Sequence, residues 1–334
     1  METRENHTLM TFDKTSFPQT GLMAKKPQSQ ETMTLAERLA AIRQASSIAS
    51  PGAAGREFSF ANSDFERVRR LIYAKAGISL SPSKQDMVYS RLSRRLRMTG
   101  KKTFAEYLDL LEHARDSAEW EHFVNALTTN LTSFFREPHH FPILAEHLRK
   151  IAPLQKQINI WCCAASTGEE PYSIAMTVAD TFMAGKAMPE IRIICSDLDT
   201  NVLATAEKGV YPQDRIEKIP PEQLKRYFVK GVGSQEGMYS AKPELRRMMS
   251  FQRINLLDPV WPIRGPLDVI FCRNVMIYFD KATQYKILAR FVPLLQPDGL
   301  LCAGHSESFL HAADLFQSLG KTVYKRANKS GKLV

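Results

Sequence analysis

A turn at residues 165–171, ASTGEEP, joins an apolar run to a helical pattern and carries two adjacent carboxylates. A phosphate-binding loop needs several small residues, available backbone N–H groups and usually a lysine. This turn has one glycine and no lysine, so ATP and the pyrophosphate of a dinucleotide are disfavoured. The carboxylates would instead stabilise positive charge on a ligand. Glu170 is the better candidate for contact with that ligand, whereas Glu169 is expected to complement the positive end of the helix or to shape the loop.

Mostly polar residues also follow each of the next three apolar runs. They are Asp197 and Asp199 after the second run, Asn255 and Leu256 after the third, and Arg273 and Asn274 after the fourth. An acidic residue that closes the second strand of a nucleotide-binding sheet accepts hydrogen bonds from ribose hydroxyls. A nucleoside that lacks phosphates and carries a cationic group satisfies both observations, and S-adenosylmethionine is such a molecule. The sequence therefore predicts an S-adenosylmethionine pocket at these positions.

The elements that must position these residues are short apolar runs that alternate with helical patterns over residues 156–334. Such alternation predicts an α/β fold with a doubly wound, mostly parallel, Rossmann-like sheet and helices on both faces. Ligands of these sheets bind at the carboxyl ends of the strands, where the strand order switches. The segment of about residues 211–247 is long for a connection and has glycines between short potential strands, which predicts a small β insertion.

The residues before the sheet predict three further regions. Residues 61–130 read as a small all-helical domain whose first helix has a capping box at Ser63 and Glu66, and residues 131–155 read as a linker helix region. Residues 1–60 predict a disordered extension, apart from one helical pattern at residues 34–45 that is followed by a flexible linker at residues 46–55. One helical pattern carries a basic face, formed by Arg91, Arg94, Arg95 and Arg97.

Composition narrows the class of protein and of partner. The net charge of +10 indicates an acidic partner, which could be nucleic acid, an anionic membrane or an acidic protein surface. The sequence has no apolar run of about 18 residues and no secretory signal at its N-terminus, so we expect a cytoplasmic protein without membrane insertion. The five cysteines lack C-x-x-C spacing and are expected to be buried, and His139 and His140 are adjacent rather than one helical turn apart, so no metal site is predicted.

Several motifs in order resemble the chemotaxis receptor methyltransferase family (CheR). They are ALTTNLTSFFREPHHF, AASTGEEPYSIAM, SDLDTNVLATAEKGVY, INLLD and DVIFCRNVMIYFD, and the resemblance runs from about Asn62 to the C-terminus. It implies a protein-glutamate O-methyltransferase that uses S-adenosylmethionine, with S-adenosylhomocysteine as the product. The substrate implied is the cytoplasmic signalling domain of bacterial chemoreceptors, whose methylation serves adaptation in chemotaxis.

The resemblance also implies a set of cofactor contacts. These are Asn130, Thr132, Arg136, Glu170, Asp197, Asn255, Leu256, Arg273 and Asn274. Glu170 suits the methionine ammonium and Asp197 the ribose, while either Arg136 or Arg273 could pair with the methionine carboxylate. A glutamate acceptor is already ionised at pH 7, so no general base is required, and Arg136 and Tyr278 are the candidates for positioning it.

Two further surfaces follow from the resemblance. The basic face of Arg91, Arg94, Arg95 and Arg97 becomes a docking surface for the acidic receptor helices. The β insertion resembles a subdomain that, in some members, binds a pentapeptide at the receptor C-terminus by strand addition. A monomer is expected, and the receptors, the glutamates and the role of residues 1–60 stay open.

Two rival functions remain at the level of sequence. A nucleic-acid methyltransferase would fit the net charge, but a base-methylating site favours a proline-rich turn after the fourth strand, and RNVMIYF has no proline. A non-catalytic cofactor sensor or scaffold is disfavoured because the residues at the strand ends are all present. No nucleic acid is therefore expected among the partners.

Overall fold

Apolar residues at helical spacing place the helices of the N-terminal region around one small core. The computed structural model describes residues 56–114, 117–183 and 189–327. Phe65, Val68 and Ile72 are buried on the first helix, and Leu92 and Leu96 are fully buried on the second. The helical pattern at residues 34–45 and the linker at residues 46–55 lie outside the described residues.

Short and medium-length α-helices make up much of the described chain. In chain order they are α1 (Asn62–Ala76), α2 (Gln85–Thr99), α3 (Phe104–His113), α4 (Ala118–Leu127), α5 (His140–Ile151), α6 (Glu169–Phe182), α7 (Thr200–Lys208), α8 (Gln213–Ile216), α9 (Pro221–Tyr227), α10 (Pro243–Arg246) and α11 (Lys281–Phe291). None of these helices is long and apolar enough to cross a membrane.

Helix α1 begins two residues earlier than the predicted capping box allows. Its N-cap is Ala61, whose backbone N–H donates to the carboxylate of Asp64 at 3.0 Å. The prediction that Ser63 and Glu66 form the cap is therefore wrong, because the carboxylate of Asp64 satisfies the backbone N–H at the helix start. The helix ends at Gly77, which has a φ of +67° and donates its N–H to the carbonyl of Tyr73.

The strands form one large sheet and one small sheet. They are β1 (Gln157–Cys162), β2 (Glu190–Asp197), β3 (Val210–Pro212), β4 (Phe228–Lys230), β5 (Met238–Ala241), β6 (Met249–Arg253), β7 (Leu267–Cys272), β8 (Leu295–Ala303), β9 (Phe316–Ser318) and β10 (Val323–Arg326).

The large sheet has the order β6-β2-β1-β7-β8-β10-β9. Strands β6, β2, β1, β7 and β8 are mutually parallel, and β10 is antiparallel to both of its neighbours. The chain progresses from β1 to β2 and β6 on one side, then returns to place β7 and β8 on the other. The strand order thus switches between β1 and β7, which is where a ligand of such a sheet binds. The predicted doubly wound α/β fold is confirmed.

The small sheet lies within the segment predicted as an insertion. Its antiparallel order is β3-β5-β4, so β3 and β4 are its edge strands. We call residues 210–247 the β insertion. Buried side chains of this insertion, among them Tyr211, Ile216 and Phe228, belong to the same hydrophobic core as β1 and α6. The insertion is therefore packed into the sheet domain rather than attached at a single point.

Candidate functional site

A cleft of about 870 Å³, counted with its open mouth, lies at the carboxyl ends of β1, β2 and β7. The helical domain closes one side with Ala76 and Ile78, and the segment after α4 closes another. The predicted cofactor residues all line it: Asn130, Thr132, Arg136, Glu170, Asp197, Asn255, Leu256, Arg273 and Asn274. Tyr278 lines it as well.

The turn after β1, residues 165–170, contributes Ser166 and Glu170 to the lining of the cleft beside the end of β2, and we call it the cofactor loop. Its Ser166 has a φ of +48° and donates its backbone N–H to the carboxylate of Asp197 at 2.8 Å. The Ser166 hydroxyl donates to the carbonyl of Asn130 at 3.2 Å. These bonds hold the ends of β1 and β2 and the segment after α4 in one arrangement.

The two adjacent carboxylates of the turn point to different places. Glu170 lines the cleft, accepts from Arg273 Nη1 at 2.6 Å and accepts from the Cys162 thiol at 3.3 Å. Glu169 is fully buried away from the cleft and pairs with Arg215 of the β insertion and with the Thr167 hydroxyl at 2.6 Å. Burial raises the pKa of Glu170, and the adjacent guanidinium of Arg273 opposes that shift.

Arg273 is held by acceptors on two sides and is buried. Its Nη2 lies 3.3 Å from Glu137 Oε2 and also donates to the carbonyl of Arg136. Burial alone would raise the pKa of Glu137, but hydrogen bonds from His305 and the charge of Arg273 lower it to about 2. Glu137 and Glu170 therefore balance the charge of Arg273, and the pKa of this guanidinium is raised.

Asp197 ends β2 with its carboxylate at the cleft. It accepts the backbone N–H groups of Ser166 and of Asp199, the latter at 3.0 Å. Burial nonetheless raises the pKa of Asp197 to about 6. Asp199 caps α7 by accepting from the N–H of Asn201 at 2.9 Å, and it also accepts from the amide of Asn130 at 2.9 Å. Asn130 is thus anchored by Asp199 at the cleft wall.

Arg136 is presented by a strained stretch of backbone. Its neighbours Phe135 and Glu137 have φ values of +50° and +53°, a conformation that residues other than glycine seldom adopt. The guanidinium donates to the carbonyl of Leu131 at 2.7 Å. Among the described residues no carboxylate lies within ion-pair distance of Arg136, in contrast to Arg273. Arg136 is therefore the better candidate for a carboxylate on a ligand.

Three further predicted residues combine a place at the cleft with a structural contact, while Thr132 and Leu256 contribute to its lining. The amide of Asn255 donates to the carbonyl of Lys75 at 3.0 Å and so ties the sheet domain to the end of α1. Asn274 has a φ of +58° and donates its backbone N–H to Glu307 at 2.9 Å. The hydroxyl of Tyr278 donates to the carbonyl of Thr129 at 3.3 Å, and burial raises its pKa.

The four arginines of the predicted basic face do not share one role. Arg95 forms two hydrogen bonds with the carboxylate of Glu119, at 2.6 and 3.0 Å, in a pair whose side chains are only 14% and 11% exposed. Arg91 donates to the carbonyl of Thr128 at 2.6 Å, next to the cleft. Arg97 pairs with Glu57 at the surface, and Arg94 is exposed without an ion-pair partner among the described residues.

Three residues that support the site were not singled out from the sequence. Glu137 balances Arg273, and Arg215 pairs with Glu169 from the β insertion. Glu307 is buried between the ends of β7 and β8, where it accepts the backbone N–H groups of Asn274, Met276 and Gly304. The only sequence feature that pointed to any of these three residues was the position of Glu137 next to Arg136. Most partners of Glu137, Arg215 and Glu307 lie 30 or more residues away in sequence.

His139 and His140 lie close to Glu137 in space, although their adjacent positions in the sequence disfavoured a metal site. One possible ligand atom from each of Glu137, His139 and His140 lies within 4.8 Å of the others. Glu137 Oε2 is 3.9 Å from His140 Nδ1, whereas zinc bonds of about 2.1 Å bring tetrahedral ligand atoms to about 3.4 Å from each other. The same oxygen is 3.3 Å from the Arg273 guanidinium, which repels a cation. The geometry thus weighs against a metal here, and the absence of a metal stays a prediction.

All five cysteines are buried and free, as predicted.

Comparison with known families matches both regions of the chain. A family model described as "CheR methyltransferase, all-alpha domain" matches residues 63–128, and one described as "CheR methyltransferase, SAM binding domain" matches residues 130–325. Among solved structures, a glycopeptide N-methyltransferase complexed with sinefungin matches 53% of this chain and 52% of that chain at 13% identity and a TM-score of 0.29, which is too distant to bear on the site.

Curated relatives match over most of their length. "Chemotaxis protein methyltransferase 2" of Pseudomonas aeruginosa is 51% identical over 278 residues, which cover 83% of this chain and 98% of the relative. "Chemotaxis protein methyltransferase" of Escherichia coli is 51% identical over 266 residues, which cover 80% of this chain and 91% of the relative. The protein of the same name from Salmonella typhimurium is 52% identical over an equally long match.

Proposed function

The chain belongs to the CheR methyltransferase family, which uses S-adenosylmethionine, and from this premise we propose that it methylates glutamate side chains of bacterial chemoreceptors. The product would be a glutamate methyl ester on the cytoplasmic signalling domain. The observation that carries the proposal is a single cleft lined by residues of both matched regions, which combines two carboxylates with a guanidinium that has no carboxylate partner among the described residues. The names of the relatives support a chemotaxis substrate.

The residues of the cleft fit S-adenosylmethionine. Asp197, at the end of β2, suits the ribose hydroxyls, and Glu170 keeps lone pairs that suit the methionine ammonium. Arg136 suits the methionine carboxylate, since the charge of Arg273 is balanced by Glu170 and Glu137. The apolar side chains of Ile254, Leu256 and Leu198 offer a wall for the adenine.

The acceptor needs to be positioned rather than deprotonated. A glutamate carboxyl with an ordinary pKa of about 4.3 is ionised at pH 7, so a general base adds nothing. When bound, the cofactor supplies an electrophilic methyl group on a sulfonium. With its guanidinium paired to the methionine carboxylate, Arg136 steers the acceptor carboxylate towards the mouth of the cleft rather than holding it. A tight two-point clamp on the acceptor is not expected, because it would lower the nucleophilicity of the carboxylate. Tyr278 stays neutral at pH 7, since its pKa is raised, and limits access of water beside Arg136.

Labelled-methyl transfer tests the proposed reaction. Purified protein is incubated with labelled S-adenosylmethionine and a receptor signalling domain, with DNA and RNA in parallel reactions. Label that enters the receptor and is released by mild base identifies a carboxyl methyl ester and supports the proposal. Base-stable label on protein, label on nucleic acid, or no transfer to any acceptor contradicts it. The same assay separates the proposed enzyme from a cofactor sensor.

Replacement of Arg136 tests its role. Arg136→Ala should lower both the affinity for S-adenosylhomocysteine and the rate of methyl transfer, because it removes the guanidinium without a carboxylate partner from the cleft. Arg192→Ala is the matched control, since Arg192 is exposed at the opposite, amino-terminal end of β2. An Arg136→Ala protein with unchanged affinity and unchanged rate excludes Arg136 from the site.

The β insertion offers an edge for a receptor peptide. Strand β4 is an edge of the small sheet, and its Val229 is 55% exposed, so an added strand could pair with it. We propose that a receptor C-terminal pentapeptide binds here and that the enzyme acts as a monomer. Calorimetry against a panel of receptor C-terminal peptides tests the tether, and the absence of heat with all of them contradicts it. The mass in solution by light scattering tests the monomer.

A further inference from the structure

The β insertion is bonded directly to the cofactor loop. Arg215, on α8, donates from Nε to Glu169 Oε1 at 2.9 Å and from Nη2 to the hydroxyl of Thr167 at 3.0 Å. Tyr211, on β3, donates its hydroxyl to the carbonyl of Thr167 at 2.9 Å. Two side chains of the insertion therefore bind the backbone and side chains of the loop that carries Glu170 into the cleft.

The loop conformation leaves no space between it and the insertion. Gly168 has a φ of +102°, and a Cβ at this position would collide with the Tyr211 hydroxyl and lie 2.9 Å from Ala206 Cα. A side chain at Gly168 would therefore push the loop away from the insertion. The contact is as tight as the interior of a folded domain, where one added methyl group is felt.

The pair between Glu169 and Arg215 makes this conformation conditional on the insertion. Glu169 is fully buried, so its carboxylate needs a partner there, and Arg215 supplies the cation. Without Arg215 the buried carboxylate would favour loop conformations that return it to water. Glu170 follows directly in the chain, so any such rotation of the loop also moves the carboxylate that lines the cleft.

The insertion also supports the segment that presents Arg136. Phe134 is fully buried and packs edge-on against Tyr211 and Phe228, with ring centroids 5.0 and 5.8 Å apart. Lys218 donates to the hydroxyl of Ser133 at 3.2 Å. The same insertion thus contacts both chain segments whose carboxylate and guanidinium face the cleft.

We propose that the β insertion is a structural part of the cofactor site and that Arg215 is its positioning residue. Arg215 acts through Glu169, by holding the cofactor loop in the conformation that points Glu170 into the cleft. The inference depends on the proposed function only in its cofactor, S-adenosylmethionine, and not in its acceptor, the receptor glutamate. A protein that populates the competent loop conformation only in part binds with an affinity reduced by that fraction.

Calorimetry with S-adenosylhomocysteine tests the proposal without any acceptor. The variants are Arg215→Met, Glu169→Gln and the double variant, with Arg215→Lys as a conservative replacement. Arg215→Met should raise the Kd by about 10- to 100-fold, as a displaced binding group does. Glu169→Gln should change the Kd little, and the double variant should regain most of the affinity because no buried charge is left unpaired. Arg215→Lys should retain part of the affinity.

Arg226→Met is the matched control within the insertion. Arg226 is another partly exposed arginine, and it pairs at 2.7 Å with Asp180 near the far end of α6 rather than with the cofactor loop. Its replacement should leave the Kd unchanged. In steady-state assays Arg215→Met should raise the KM for S-adenosylmethionine while kcat at saturation is retained, a split that general destabilisation does not produce.

Three outcomes overturn the proposal. They are an unchanged Kd for Arg215→Met, a double variant that binds no better than Arg215→Met, and an equal loss of affinity for Arg226→Met. Melting temperatures of all variants, measured without ligand, identify any loss that is due to unfolding. A failure of receptor methylation would contradict the proposed acceptor and leave these affinities unaffected, so the two proposals fail separately.

Discussion

The cofactor cleft and the basic face of α2 both contain arginines, and in each region a buried arginine and a more accessible one have different roles. In the cleft, Arg273 is 3% exposed and its charge is balanced by two carboxylates, while Arg136 keeps a guanidinium without a carboxylate partner among the described residues. On α2, Arg95 is held in a pair with Glu119, while Arg94 is exposed. Each region thus contains one arginine that stabilises the protein and one that can bind a ligand or partner.

The same division separates the two adjacent glutamates of the cofactor loop. Glu170 lines the cleft and Glu169 is buried against the β insertion. The two arginines compared in each region carry the same charge, and so do the two glutamates of the loop. The partner of a charged side chain, rather than its type or spacing, therefore decides whether it supports the fold or contacts a ligand.

The largest expected effect on stability comes from replacing Arg273, the buried arginine of the cleft. Arg273→Met leaves Glu137 and Glu170 in the interior without their cation, so the free energy of unfolding should fall by about 3–5 kcal/mol. Urea denaturation measures this change. Arg136→Met is the control in the same cleft and should change the free energy of unfolding by less than about 1 kcal/mol. Equal effects of the two substitutions would contradict the distinction drawn for the cleft.

The corresponding substitution on α2 should have a smaller effect. Arg95→Met removes two hydrogen bonds to Glu119, whose carboxylate also accepts from Tyr107 at 2.7 Å and so keeps one partner. The free energy of unfolding should fall by about 1.5–3 kcal/mol, measured in the same urea experiment. Arg97→Met is the control on the same helix and should have little effect, because solvent screens its exposed pair with Glu57. A larger effect at Arg97 than at Arg95 would show that burial does not rank these pairs.

The binding of cofactor should depend on pH through Asp197. Burial raises the pKa of this carboxyl to about 6, and ribose hydroxyls donate to its ionised form, so its pKa falls when cofactor binds. Affinity for S-adenosylhomocysteine should therefore increase with pH up to about 6 and be constant above it. At pH 5 the Kd should be about tenfold higher than at pH 8.

Calorimetry across this pH range checks the dependence on Asp197. The control is Asp197→Asn, which should bind more weakly at pH 8 and show little change between pH 5 and pH 8. An equal pH dependence in the two proteins would assign the titration to another group.

The smallest expected effect concerns docking of the acceptor. Arg94→Glu should raise the KM for a receptor signalling domain by about three- to tenfold and weaken the salt dependence of transfer, because the contribution of an exposed charge is small and screened. Stability should be unchanged, in contrast to Arg95→Met. Arg192→Glu, an exposed reversal at the far end of β2, is the control and should leave the KM unchanged. If both reversals raise the KM equally, the effect comes from net charge rather than from a docking face.

The sequence alone was sufficient for the fold class and for the place of the site. Alternation of apolar runs and helical patterns predicts a parallel sheet, and parallel strands bring their carboxyl ends to one edge. Residues that follow those strands therefore meet in one cleft, as Glu170, Asp197 and Asn274 do. The acidic turn disfavoured phosphate and favoured a cationic cofactor, which is a local property of its residue types.

Tertiary structure decided which charged side chains are balanced by partners. Glu137, Arg215 and Glu307 find their partners across the chain, and no local pattern records such distances. The same holds for Arg95, which the sequence places on a basic face, which the resemblance made a docking surface, and which the fold places against Glu119. The residues of the turn already predicted that Glu170 rather than Glu169 contacts the ligand, but the pairing of Glu169 with Arg215 depends on the folded protein. A buried charge must be paired, and which elements pack together decides its partner.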